Sequence, residues 1–141
     1  MNLENILRNL EYGLVVRPRF ADLIINGRKV WEIRKRKPKV MGKVGVIKEK
    51  LKLLIGIVEI VDVKGPFKVK ELIEKYNKKH LAPEFLLKYV KNNLNQDLYA
   101  WVLKNPLKFD RPIYVEYQQV ESGIVRIIGI LNFNRIKNQE V

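Results

Sequence analysis

Short apolar runs of β type, present on both sides of one helical stretch, constrain this fold most. Residues 68–94 form that stretch, and the runs lie at 12–17, 30–35, 43–48, 53–63, 98–104, 112–118 and 124–131. Such runs, bounded by turn residues and rich in β-branched and aromatic side chains, are typical of strands. Because helices do not alternate with strands, the pattern predicts an α+β fold with a small curved β-barrel and a short helical insert, not a parallel βαβ sheet.

Helix signals occur at three places. Near the N-terminus, apolar residues recur at the spacing of one helical face, at Leu3, Ile6, Leu7 and Leu10. They predict an amphipathic helix over 2–11 that packs on the body. A second helix begins at Pro18, where a missing N–H costs nothing, and ends at Gly27. Within 68–94, apolar residues on both sides of Pro83 predict two helices.

One core is expected, since 47% of the 141 residues are hydrophobic. The predicted organisation is an N-terminal helix over 1–12, a domain over 13–131 and a polar, basic tail over 132–141. No apolar stretch approaches the about 20 residues of a membrane span, and the charged N-terminus does not resemble a signal sequence. These features predict a cytoplasmic protein without a membrane partner. The oligomeric state stays open, with a monomer slightly favoured.

The chain is strongly basic. It has 28 Lys and Arg against 15 Asp and Glu, which gives a formal net charge of +13. A surface this positive attracts polyanions. Nucleic acid fits better than a membrane, because the basic residues are interleaved with strand-like runs and do not line one face of a long amphipathic helix.

Residue types that usually build catalytic centres are almost missing. The chain has no Cys and no Thr, its only Ser is Ser122 and its only His is His80. No disulfide is possible, the usual zinc ligands are lacking, and neither a metal site nor a cofactor is predicted. A Ser-His-acid triad would require Ser122 and His80 to meet. His80 follows two lysines, which predicts a solvated helix end.

Charge is densest over residues 27–39, GRKVWEIRKRKPK, where Glu32 is the single acid among Arg28, Lys29, Arg34, Lys35, Arg36, Lys37 and Lys39. Strand alternation places Glu32 and Arg34 on one face and Trp31 on the other, toward the core. Arg34 can hold a phosphate or carboxylate through two parallel hydrogen bonds, and Glu32 can orient that guanidinium or accept from a base amino group. The alternative is a solvated edge strand that its lysines protect from aggregation. The residues alone leave both interpretations open.

Among the later aromatic residues, Tyr99 and Trp101 share one strand face. Tyr99 is the better candidate to border a cleft and stack on a base, because its hydroxyl tolerates water.

Three segments carry a family resemblance. The run GLVVRPRFADLIINGRKVWEIRKR resembles the opening of the ASCH family, a branch of the PUA-like superfamily, whose signature is a helix ending in Gly, then a Lys, then Glu-x-Arg on the next strand. LLIGIVEIVDVKGPF is similar to the family's Gly-rich central strand, and YAWVLKNPLKFDRPIYV to its later strand, turn and Pro-containing segment. The segments stand in the family's order within residues 13–131, so the chain resembles a stand-alone, archaeal-type member.

The resemblance implies a small barrel with flanking helices and a cleft beside the signature. Lys29, Glu32 and Arg34 occupy the signature positions, and Arg17 with Pro18 matches the turn that borders the cleft. Family members are thought to bind RNA or DNA and to act in RNA metabolism, which agrees with the charge. The predicted binding residues are Arg17, Lys29, Glu32, Arg34, Arg36, Lys37, Lys39 and Tyr99.

A hydrolase is the alternative that the resemblance leaves open. One branch of the family is an amidohydrolase of N4-acetylcytidine, with a motif that resembles Gly-Arg-Lys-Thr-x-Thr-x-Arg, and another member resembles a ribonuclease. This chain keeps Lys29 but has Glu32 in place of the second Thr. Catalysis would then need direct attack by water, with Glu32 as base and Lys29 stabilising an oxyanion. A binding module is therefore favoured over an enzyme.

Overall fold

The computed structural model describes residues 2–131. The helices are α1 (Leu3–Asn9), α2 (Pro18–Ile25), α3 (Val69–Lys75), α4 (Asn77–His80) and α5 (Pro83–Tyr89). The strands are β1 (Tyr12–Val16), β2 (Trp31–Arg34), β3 (Gly42–Lys48), β4 (Leu53–Lys68), β5 (Asp97–Glu121) and β6 (Ile124–Ile130). The tail predicted over 132–141 lies outside the described residues. Within 2–131, no helix is long and apolar enough to cross a membrane.

The six strands form one sheet in the order β2-β5-β4-β3-β1-β6. A further pairing of β5 with β6 joins the two sides, so that five strands form a ring and β2 extends it as an edge strand. All pairings are antiparallel except that of β1 with β3. Helices flank this sheet, and the predicted mixed α+β class is confirmed.

One continuous strand, β5, replaces the two strands predicted at 98–104 and 112–118. It runs for 25 residues, because its first part pairs with β2 and its last part with β6, while β4 follows most of its length. The turn that the family resemblance implies within YAWVLKNPLKFDRPIYV, at Asn105 and Pro106, is a bulge instead. Glu59 pairs with Lys104 and Ile57 with Leu107, so the register shifts there and Asn105 adopts a φ of 54°. Pairing with β4 on both sides of Asn105 and Pro106 outweighs the local turn signal.

The middle helical stretch contains three helices where two were predicted. Helix α3 ends at Tyr76, whose φ of −126° is not helical, and the short α4 follows it. Leu81 then adopts a left-handed φ of 55°, which ends α4 and redirects the chain into α5. The resulting turn carries His80 inward, and its imidazole is 0% exposed. The prediction of a solvated His80 is therefore wrong.

The described residues form three apolar clusters, and two of them bear on the predictions. Helix α1 contributes Leu3 and Leu7 to the cluster inside the ring, as its amphipathic pattern predicts. The cluster between the sheet and the helical insert holds Trp31, whose ring centroid lies 4.9 Å from that of Tyr76 and 5.5 Å from that of Phe67. The predicted core position of Trp31 is confirmed. This packing holds β2 against the helical insert.

Candidate functional site

A cleft of about 170 Å³ opens on the face of β2 opposite Trp31. The end of β1, the start of α2, β2 and α5 all contribute to its wall, with Glu49 after β3. The side chains that the chemistry depends on are Arg17, Phe20, Glu32, Arg34, Phe85 and Tyr89. Glu32 and Arg34 are two residues apart on a strand, so both point to this face. Of the four residues that the resemblance implies beside the cleft, Arg17, Glu32 and Arg34 line it and Lys29 does not.

Glu32 stands at the centre of a three-residue ion network. Its Oε2 accepts a hydrogen bond of 2.7 Å from Arg34 Nη2, and its Oε1 lies 3.6 Å from Lys29 Nζ. The ammonium of Lys29 also donates to the carbonyl oxygen of His80 and lies 4.8 Å from the ring centroid of Phe20. Glu32 is only 6% exposed and Lys29 only 2% exposed. β2 is an edge strand, but the alternative of a solvated polar face is wrong, because this face is buried.

The network holds all three groups away from their ordinary titration ranges. Burial opposes the charge on Glu32, but the attraction of Arg34 and Lys29 and the hydrogen bond from Arg34 outweigh it, so its pKa is lowered. Burial lowers the pKa of Lys29 despite the attraction of Glu32. Burial also opposes the charge on Arg34, and Glu32 more than compensates, so its pKa is raised. With all three groups ionised, two cations face one carboxylate and leave an excess positive charge.

Arg34 is anchored through the Nη2 group of its guanidinium. Besides the bond to Glu32, Nη2 donates to the carbonyl oxygen of Val15 at 3.2 Å. Both Nη2 hydrogens are thereby used. Nε and Nη1 have no hydrogen-bond partner among residues 2–131, and the side chain is 17% exposed. Three N–H donors, one on Nε and two on Nη1, therefore remain for an anion.

Gly123, in the turn between β5 and β6, makes room for this guanidinium. A Cβ built on Gly123 would overlap Arg34 Nη1 and would lie 2.5 Å from its Cζ. The sequence shows Gly123 only as part of a turn, and nothing in the sequence points to its contact with Arg34.

We expect Gly123→Ala to destabilise the protein more than Gly42→Ala does. Gly123 and Gly42 have similar left-handed φ values of 81° and 88°, but a Cβ on Gly42 meets nothing within 4 Å. Gly42→Ala therefore carries only the backbone cost of about 1 kcal/mol, whereas Gly123→Ala adds about 1–3 kcal/mol from the clash with Arg34. Denaturant unfolding of both variants measures the difference. Equal losses of unfolding free energy in Gly123→Ala and Gly42→Ala would show that the Arg34 side chain moves aside without cost.

An aromatic wall lines the cleft together with Arg34. Phe85 and Tyr89 are four residues apart on α5, so their rings share one helix face, with centroids 5.7 Å apart. Phe20 meets Phe85 edge to face at 5.3 Å, and the guanidinium of Arg17 lies 4.7 Å from the Phe85 centroid. None of these three aromatic residues was predicted from the sequence as a site residue. The spacing of Phe85 and Tyr89 was visible, but it equally suits a core face.

The other predicted binding residues lie in different places. Arg17 is exposed at the rim of the cleft, whereas Lys29 lies beneath the cleft and does not line it. Arg36, Lys37 and Lys39 are exposed on the segment after β2, outside the cleft. Tyr99 is half-buried and also outside it, with Lys37 Nζ 5.8 Å from its ring centroid. Arg17, Glu32 and Arg34 therefore line the cleft, whereas the other predicted binding residues lie around it or below it.

His80 uses both ring nitrogens on the backbone. Its Nδ1 accepts from the N–H of Ala82 at 3.0 Å, which requires the hydrogen on Nε2, and Nε2 donates to the carbonyl oxygen of Leu72 at 2.9 Å. Burial lowers the pKa of this imidazole. An imidazole bonded in this way has no free nitrogen for Ser122, so the geometry does not support a triad. Within the described part of the chain, no three potential metal ligands come together.

The stability of the protein is expected to fall in acid through Glu32. Its folded pKa lies below the ordinary value of 4.5, so its contribution is present above that value and is lost as the pH falls through the folded pKa. The measurement is denaturant unfolding at several pH values from about 6 to about 3, for the protein and for Glu32→Gln. The loss should be smaller in Glu32→Gln. Parallel losses in both proteins would contradict the assignment.

Lys29 precedes β2, and Glu32 and Arg34 lie on it, in the order Lys, then Glu-x-Arg. Comparison with known proteins shows the family to which a chain with this segment belongs. A family model of the ASCH domain matches residues 14–113. The chain belongs to the ASCH domain family. The residues that suggested this resemblance, Lys29, Glu32 and Arg34, lie within the matched range. A comparison of this ASCH chain with curated proteins found no match.

Solved ASCH structures share the fold. A Tyr-to-Phe variant of the ASCH protein from Zymomonas mobilis aligns with a TM-score of 0.61 and 22% identity, over 73% of this chain and 74% of that chain. A Ser-to-Ala variant of the same protein gives 0.61 and 22%, over 73% and 72%. The Zymomonas mobilis ASCH structure without a substitution gives 0.57 and 21%, over 72% and 69%. These similarities show that the ASCH chain has the same fold as these proteins.

Proposed function

We propose that this ASCH protein is a module that binds RNA or a nucleotide, with a phosphate held by Arg34 in the cleft. The observation that carries the proposal is the anchoring of Arg34. Glu32 and the Val15 carbonyl hold Nη2, and three N–H donors remain free among the described residues. Phosphate oxygens accept hydrogen bonds from a guanidinium, and here Nε and Nη1 can each donate separately while Nη2 stays on Glu32 and Val15. An anchored guanidinium also loses little side-chain freedom on binding.

Charge around the cleft supports a polyanionic ligand. Arg17 stands at the rim, and Arg36, Lys37 and Lys39 are exposed nearby on the segment after β2. Exposed basic side chains attract a phosphate backbone over a distance and make binding sensitive to salt. In the proposal they guide the strand, Arg34 fixes one phosphate, and Lys29 acts from below by holding Glu32 in place.

The aromatic wall supports a nucleobase beside the phosphate. Phe85 and Tyr89 are half-buried and line the cleft, so part of each ring faces its interior. An aromatic ring stacks on any base, which gives affinity with little sequence preference. We propose that the base contacts this wall and that the wider role is in cytoplasmic RNA metabolism, on a ring of strands that corresponds to a PUA-like barrel.

The hydrolase alternative has weaker support from the same geometry. A general base works best with a pKa near the operating pH, whereas the pKa of Glu32 is lowered. Lys29 is buried and does not line the cleft, so it is poorly placed to stabilise an oxyanion there. Binding without turnover is therefore the function we propose.

The test is equilibrium binding of short mixed-sequence RNA and DNA oligonucleotides at two salt concentrations, with the oligonucleotides analysed for cleavage afterwards. We expect affinity that falls steeply with salt and oligonucleotides that remain intact. Cleavage that disappears in Glu32→Gln would instead establish the ribonuclease alternative. Absence of binding at low salt would overturn the proposal.

A further inference from the structure

A second cavity adjoins the cleft on the other side of Arg34. Its volume is about 250 Å³, against about 170 Å³ for the cleft. Arg34 and Tyr89 line both cavities. Arg36, Glu121 and Ser122 line the second cavity alone. The two spaces are therefore neighbours that share one guanidinium and one aromatic ring.

Charged side chains surround Arg34 in a similar way in both cavities. The guanidinium of Arg34 stands at the shared boundary; the cleft also has Arg17 with Glu32 and Glu49, and the second cavity has Lys35 and Arg36 with Glu121. Glu121 is held by the backbone, since its Oε1 accepts from the N–H of Lys39 at 3.2 Å. A carboxylate repels phosphate and accepts hydrogen bonds from base amino groups. One phosphate in the middle, with a base on each side, fits this arrangement.

We infer that the unit recognised is a dinucleotide segment of a single strand, with its phosphodiester on Arg34 and one nucleoside in each cavity. This inference rests on the proposed function and narrows its ligand. Two successive nucleosides share one phosphate, as the two cavities share one guanidinium. A duplex does not fit, because its bases are paired and stacked and are not free to enter two separate cavities. A free mononucleotide fills one cavity only.

The test compares dinucleoside monophosphates with nucleoside monophosphates of the same bases, by calorimetric titration of the whole protein. At neutral pH the terminal phosphate of a mononucleotide carries a charge of about −1.5 to −2, whereas the phosphodiester carries about −1. Charge alone therefore favours the mononucleotide. We expect the dinucleoside monophosphate to bind about tenfold more tightly, through one further base in contact with the protein.

Ser122→Leu tests the second cavity directly, since Ser122 lines it and is exposed in the turn after β5. Gln118→Leu, exposed on β5 and outside both cavities, is the matched control. Ser122→Leu should bring the affinity ratio of dinucleoside monophosphate to mononucleotide close to one, and Gln118→Leu should not. If Ser122→Leu does not fold, the affinity ratio of dinucleoside monophosphate to mononucleotide in the unchanged protein tests the inference by itself.

The outcomes separate the two claims. Mononucleotides that bind as tightly as dinucleoside monophosphates would overturn the two-cavity inference and leave the proposed function standing. An affinity ratio of dinucleoside monophosphate to mononucleotide that is unchanged in Ser122→Leu would also overturn the inference. Failure of longer oligonucleotides to bind would overturn the proposed function, and the inference with it.

Discussion

Glu32→Gln is expected to lower the free energy of unfolding by about 3–5 kcal/mol. The substitution leaves the ammonium of Lys29, which is almost fully buried, without a charged partner, and an unpaired buried charge is costly. Denaturant unfolding at neutral pH measures the effect. Glu71→Gln is the matched control, because Glu71 pairs with Lys75 at 3.7 Å on the surface. It should change stability by less than about 1 kcal/mol.

The same network predicts an asymmetry between its members. Lys29→Met removes the other charge but leaves Glu32 bonded to Arg34, so it should cost less than Glu32→Gln. The double substitution Lys29→Met, Glu32→Gln should cost less than the sum of the two single substitutions, because it removes both members of a coupled pair. Additive losses, or a loss in Glu71→Gln as large as in Glu32→Gln, would contradict the description of a buried network.

Arg34→Ala is expected to weaken nucleic-acid binding by about 10- to 100-fold, the loss typical of hydrogen bonds to a charged group. Arg34→Lys should lose most of that affinity too, because an ammonium keeps the charge but not the anchored, planar set of N–H donors. Fluorescence anisotropy with a labelled short RNA measures both variants. Glu32 keeps Lys29 as a partner in each variant, and circular dichroism checks that both are folded.

Arg111→Ala is the matched control for charge. Arg111 is exposed and lies outside both cavities, so its loss removes the same charge without touching Arg34. We expect a change of about twofold or less. Equal losses in Arg34→Ala and Arg111→Ala would show that overall charge governs binding and that the cleft does not.

Local signals in the sequence were enough to predict much of the fold. Pro18 begins α2 and the left-handed Gly27 follows its end, as their backbone preferences require. The alternation along β2 correctly put Trp31 on the face opposite Glu32 and Arg34, because strand geometry fixes that relation. Family resemblance pointed to the same segment, and the match of the ASCH model confirms the family.

Long-range packing decided the rest. The sequence does not show that α2 and β1 cover the polar face of β2, so the burial of Glu32 and Lys29 was missed. His80 is buried because backbone groups of Leu72 and Ala82 satisfy its ring, and such partners leave no trace in residue types. The aromatic wall depends on how α5 packs beside β2, which no local pattern encodes.

The Nε–H signal of Arg34 in a proton–nitrogen NMR spectrum reports phosphate binding without any substitution in the cleft. It is assigned by its loss in Arg34→Lys and followed while a short single-stranded RNA is added. We predict that it shifts together with the ring signals of Phe85 and Tyr89. Binding of the RNA with these signals unmoved, and with shifts confined to the lysine-rich helices α3 and α4, would contradict a cleft centred on Arg34.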